Sequence, residues 1–232
     1  MRGEERFLRR FRSAFQVAAV AVFGQVAASL VLGLPDPGRL EVHRGHLFAF
    51  LLLESLFTLL LIFFFLRWEG QGWKDIGWRR SRAFAQALKG ILSVPLLLLA
   101  AYLVIRFFAE FLPRWSSLEN PLLQLIKGPL DLFFFLLSSL AVGGFKEEIQ
   151  RAFVLERFGR DLGGVWLGLA LWSLFFGALH LLQGPDKAAA AAVLGAIFGF
   201  LYLQQRHLAA PIAAHALYDM TVVVWAYLGS SA

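Results

Sequence analysis

The sequence predicts an all-α fold, a polytopic bundle of about seven transmembrane helices around a buried polar cavity. Three observations predict it. Hydrophobic residues make up 59% of the 232 residues and charged residues only 16%, against roughly 25% charged in a soluble domain. The apolar residues arrive in long blocks rather than in alternation, the pattern of helices that cross a bilayer. Within those blocks, three short pieces carry ionisable groups. Hydrocarbon tolerates such groups at a cost of about 2.5–3.5 kcal/mol each even on the lenient insertion scale, so they mark a functional site by default.

The elements follow in chain order. A basic stretch over residues 1–12 precedes an apolar run over 13–34. That run is long for a signal-peptide core and lacks a small-residue cleavage site, so it reads as a retained first helix. Six further segments follow at 46–66, 88–112, 121–158, 162–182, 187–205 and 208–228. No linker is long enough to divide them, and residues 1–232 are expected to form one integral membrane domain. Gly164 and Gly168, then Ala191, Gly195 and Gly199, recur at helical spacing, and such small faces let membrane helices approach closely. Pro211 falls in the first turn of the last helix, where its missing N–H costs little.

Charge gives orientation and excludes some functions. The net charge is +6, but the basic residues sit beside the membrane segments, which argues for topology rather than nucleic-acid binding. Arg2, Arg9, Arg10 and Arg12 fall on the same side as the basic residues of 67–89 and as Arg157, Arg160 and Arg206. The opposite loops hold Arg39, Arg44, Arg114, Lys127 and Lys187. The positive-inside rule puts the N-terminus in the cytoplasm, with residues 70–82, including Trp73 and Trp78, as an interfacial belt. The expected setting is a prokaryotic cell membrane. There is no cysteine, so disulfides, thiolate ligands and a cysteine nucleophile are excluded.

The three polar pieces are Glu147-Glu148 with Arg151, Phe176 to His180, and His215 to Asp219. Counted from the turn near residues 160–164, Glu147 lies ~20 Å and His180 ~26 Å deep at 1.5 Å per residue. They can face each other if the fourth helix continues past residue 145 and His180 still belongs to the fifth. His215 and Asp219 are four residues apart and share a helix face.

A carboxylate beside an imidazole can take a proton from water. A second imidazole with a neighbouring Asp could orient the scissile carbonyl or stabilise its oxyanion. Alternatively Glu147, His180 and His215 could hold a zinc ion whose bound water attacks. Singly, each piece has a structural explanation: an ion pair, a packing histidine, a polar clamp. Outside them, Glu54 and Asp131 read as packing or cavity groups, and Arg106 with Glu110 as a mutual pair.

In this order the three pieces resemble the CPBP family, the CAAX-protease and bacteriocin-processing intramembrane proteases also called the ABI family. That family carries Glu-Glu-x-x-x-Arg, then Phe-x-x-x-His, then His-x-x-x-Asn or Asp. Phe176 to His180 and His215 to Asp219 fit as written, and the resemblance covers residues 141–227. The first motif is one residue short: anchored on Arg151, the acid positions hold Lys146 and Glu147. Gly143-Gly144 upstream could absorb the slip. Glu147 occupies an acid position under either anchoring, with Glu148 in reserve.

The resemblance implies an intramembrane endopeptidase acting on a peptide or membrane-protein tail. Glu147 or Glu148 with His180 would activate water, and His215 with Asp219 would support the oxyanion or a metal. A zinc-assisted and a metal-free mechanism are both open. Two other readings are carried beside it: a catalytically silent membrane scaffold, and a small proton- or cation-coupled transporter, which lacks inverted-repeat symmetry.

Overall fold

Long runs of Leu, Phe and Ala become helices here because hydrocarbon offers no partner for backbone N–H and C=O groups. The computed structural model describes residues 2–36, 44–117 and 120–230, so Arg39 lies outside the described residues. Among these, seven long helices form the bundle: α1 (Arg2–Leu32), α2 (Arg44–Trp68), α3 (Ala83–Phe111), α4 (Pro129–Asp161), α5 (Val165–Ala178), α6 (Pro185–Gln205) and α7 (Ala209–Ser230). All but α5 are long and apolar enough to cross a membrane. The protein is an integral multi-pass membrane protein.

The helices alternate in direction, and α4 runs through the middle. It packs against α1, α2, α5 and α7, while α3 closes the far side against α6 and α7. The core between α1, α2 and α4 is apolar, with Ile62, Leu66 and Leu155 fully buried and Phe65 stacked on Phe153 at 6.3 Å between centroids.

The basic side of the bundle is held by a polar network rather than by isolated charges. Arg12 pairs with Glu69 at 2.8 Å, Ser13 donates to Asp161 at 2.7 Å, and Arg157 donates to Gln16 at 2.6 Å and Gln71 at 2.7 Å. Residues 70–82 also do more than line an interface. Ile76 is fully buried, and the Leu208 N–H donates to the Gly77 carbonyl at 3.0 Å. Gly77 has φ +90°, and a Cβ there would come 2.7 Å from the Arg206 carbonyl. The segment is a wedge against the α6–α7 turn.

The small residues act where helices touch. A Cβ at Gly168 would come 2.5 Å from the Phe158 Cβ, and one at Gly195 3.0 Å from the Phe176 ring. At Gly199 it would run into the Leu169 side chain and lie 3.4 Å from Arg151 Cδ. Gly199→Val therefore overpacks the α5–α6 seam and lowers stability by about 1–3 kcal/mol. The measurement is thermal unfolding in detergent. Gly45→Ala, where a Cβ meets nothing within 4 Å, stays within about 0.5 kcal/mol of the parent.

Two features depart from simple helix counting. Within α4, an α-helical part at Pro129–Ser138 gives way to a π-helical segment at Ser139–Glu147, and α-helix resumes at Glu148–Asp161. The π segment contains Gly143 and Gly144, whose lack of side chains lets α7 approach. The second departure is α5, which ends at Ala178 rather than near residue 182. Past its end, residues 179–180 form a turn and Leu181–Gln183 a 3₁₀ turn. The close approach of α6 at Gly177, where a Cβ would lie 2.6 Å from the Ala188 carbonyl, and the Gly184-Pro185 start of α6 stop it there.

Candidate active site

The site is organised by the junction at Glu147-Glu148, where π-helix passes into α-helix. Neighbouring helical residues point roughly 100° apart, so the two glutamates face different surroundings. Glu147 lines a cavity of about 350 Å³. Glu148 does not: it is buried, pairs with Arg151 three residues on, and accepts a hydrogen bond from His215 Nδ1–H at 2.6 Å. The short spacing of the first motif therefore has a structural counterpart. Glu148 and Arg151 sit one turn apart on the resumed α-helix, and the widened π turn before them gives Glu147 its own direction.

Arg151 is buried as well. Its guanidinium lies 4.9 Å from the Phe176 ring centroid and 5.5 Å from that of Phe198, contacts of the cation–π kind. Neither Arg151 nor Glu148 lines the cavity. They form a buried base behind it.

On α7, His215 and Asp219 stand one turn apart as the sequence spacing requires. The His215 ring stacks on Phe198, 4.3 Å between centroids and 17° between planes, and meets Phe176 edge-on at 5.9 Å. With Nδ1–H bound to Glu148, Nε2 points to the cavity, 3.7 Å from Glu147 Oε2 and 3.6 Å from Asp219 Oδ2. Three carboxylates thus surround one imidazole. A Cβ at Gly143 would come 2.6 Å from Asp219 Oδ2, and one at Gly144 2.9 Å from the Ala216 Cβ. Glycine at both positions is what allows α4 and α7 to meet here.

His180 reaches the same cavity from the turn after α5. Its Nδ1–H donates to the Phe176 carbonyl at 2.8 Å, one of the carbonyls a helix C-terminus leaves unpaired. Its ring lies 4.6 Å from that of Phe176. The bond fixes the tautomer and leaves Nε2 for the cavity.

Glu147, His180, His215 and Asp219 therefore line one space, with Glu148 and Arg151 behind it. The rest of the lining is mostly apolar, including Phe135, Leu194 and Val222, with Asn120, Gln183 and Lys187 at the end away from the N-terminus. Tyr218, Ser138 and Ser139 also line the cavity. Their polarity at membrane depth is a signal that the sequence itself carries.

Among the described residues, no group of three or more His, Cys, Asp or Glu is set to hold a metal ion. Glu147, His180 and His215 share the cavity, and the Nδ1 atoms of the two imidazoles are held by Glu148 and by a backbone carbonyl.

The other intramembrane charges are paired. Lys146 meets Glu54 at 2.8 Å, Arg44 meets Asp131, and Arg106 meets Glu110.

Comparison with known proteins supports the same segment. Residues 128–221 match the family model described as type II CAAX prenyl endopeptidase Rce1-like. No curated protein and no solved structure matches the chain. The resemblance to the CPBP, CAAX-protease family holds over that match, whose model describes an endopeptidase.

Proposed function

We propose that the chain, sharing residues 128–221 with the CAAX-endopeptidase family, hydrolyses a peptide or membrane-protein tail by glutamate-activated water. The observation carrying the proposal is that Glu147, His180, His215 and Asp219 line one cavity. Glu147 is the general base and His180 Nε2 holds the second hydrogen of the water. As the water oxygen bonds to the scissile carbonyl carbon, Glu147 takes its proton and the carbonyl becomes an oxyanion. His215, protonated on both nitrogens and held through Nδ1–H by Glu148, offers Nε2–H to that oxyanion. Asp219 keeps the ring in place from the other side. On collapse the C–N bond breaks and Glu147 returns the proton to the leaving amine.

Two supports are physical. The cavity is lined mostly by apolar side chains, beside which electrostatic contacts are stronger than in bulk solvent. The base comes from α4 and its imidazole partner from the turn after α5, where the Phe176 carbonyl holds the ring. The substrate class is left at peptide or protein; the prenyl label describes the family model. The clustering of basic residues at one end of the bundle supports an N-terminus in the cytoplasm.

The test is cleavage of a peptide library by purified protein in detergent or nanodiscs, beside His180→Ala. The expected result is cleavage by wild type and a loss of about a hundredfold or more in the variant. Equal cleavage by both sinks the mechanism. Folded wild-type protein that cleaves nothing in the library favours the silent scaffold instead.

A further inference from the structure

We propose that Lys146 and Glu54 form a positioning pair that holds Glu147 towards the cavity. The inference rests on the assignment of Glu147 as base. The pair spans 2.8 Å between α4 and α2, and both side chains are largely buried, 9% and 13% exposed. Glu54 lies roughly 15 Å along α2 from its start at 1.5 Å per residue. Two charges at that depth are each costly alone and tolerated together. Neither lines the cavity, although Glu147, the next residue, does.

The need for such a pair comes from the local helix. Lys146 and Glu147 are the last two residues of the π-helical segment. A π turn lacks the i→i−4 bonds that fix the rotation of an α-helix and is uncommon outside functional sites, so external contacts must fix it. On the α7 side those contacts are the close approaches at Gly143 and Gly144. On the α2 side the fixed point is Glu54, which also takes the Thr58 hydroxyl at 3.4 Å. Thr58 in turn abuts Gly24 of α1, where a Cβ would collide with its hydroxyl. The chain of contacts runs from α1 through α2 to the residue beside the base.

Where acid would stand in the family motif anchored on Arg151, this chain holds Lys146. The substitution is intelligible on the geometry. It converts a motif position into a tether, and Glu147 takes the cavity-facing role.

The experiment compares wild type, Glu147→Gln, Glu54→Leu/Lys146→Met, and the exchange Glu54→Lys/Lys146→Glu, using one cleaved peptide. Removing both charges leaves no orphan in the membrane, so the double variant is expected to fold. Detergent thermal unfolding and elution volume check this. Misplacing a catalytic group by about 1 Å can cost up to a hundredfold. The expected result for Glu54→Leu/Lys146→Met is a kcat lower by about tenfold or more, with KM within about twofold. The exchange variant recovers at least about a third of wild-type kcat. A merely structural pair would change Tm without that split and without recovery.

A folded double variant with wild-type kcat overturns the proposal, as does a folded exchange variant no better than the double. If the double variant does not fold, the exchange variant decides alone. These outcomes are separate from failure of the catalytic reading. That failure would appear as undiminished cleavage by Glu147→Gln.

Discussion

Glu147→Gln lowers turnover by about a thousandfold while leaving thermal stability close to wild type. The amide keeps the shape of the side chain and its place in the cavity but cannot accept the proton from water, and positioned general bases contribute roughly 10²–10⁴-fold. Glu148→Gln behaves differently. Its carboxylate meets Arg151 and the Nδ1–H of His215, and its loss leaves a buried guanidinium without a counter-charge. That variant loses stability first, and whatever folded fraction remains retains measurable cleavage. Turnover of each variant, normalised to folded protein by elution profile, separates the two glutamates. The opposite pattern, with Glu148→Gln folded and inactive and Glu147→Gln active, reverses the assignment.

The largest stability effect is expected at Arg151. Its side chain is 1% exposed and is the counter-charge of Glu148. Arg151→Leu leaves Glu148 buried with His215 as its remaining partner, and removing one member of a buried charged pair costs about 3–5 kcal/mol. It also removes the guanidinium from between the Phe176 and Phe198 rings. Adding Glu148→Gln to Arg151→Leu removes the Glu148 charge and recovers part of the loss. Non-additivity of more than about 1 kcal/mol in the four-member cycle is the signature. Strict additivity would mean that the two side chains do not share one interaction.

Legibility in the sequence followed the range of the forces involved. The seven helices were legible because apolar block length is a local property: α2, α6 and α7 lie close to where the blocks place them, while α4 starts at Pro129 rather than near residue 121. The positions of Gly168, Gly195 and Gly199 against neighbouring helices were legible from spacing alone, since a small residue every fourth position is the pattern of a tight seam. The four cavity-facing side chains were candidates because polarity at membrane depth is conspicuous.

What the sequence did not show depends on contacts between distant segments. Near Glu147 the short first motif and Gly143-Gly144 hint at an irregular helix but not at its π form, which goes with the close approach of α7 at those glycines. Helix-compatible residues continue past Ala178, yet α5 stops there, and the stop belongs to α6. Glu54 and Lys146 are ninety-two positions apart by their numbers, and only the fold makes them partners.

The early end of α5 has a consequence for the lipid around it. Fourteen residues span about 21 Å, well short of a hydrocarbon layer roughly 30 Å thick. Such hydrophobic mismatch is met by thinning the bilayer beside the short helix. The shortfall lies at the end where His180, Gln183 and Lys187 follow the helix and border the cavity. A bilayer thinned there would set its headgroup layer closer to the imidazole and bring water nearer to the cavity. Hydrolysis should then depend on acyl-chain length, falling as the lipids of a reconstituted bilayer lengthen and the thinning becomes costlier to maintain.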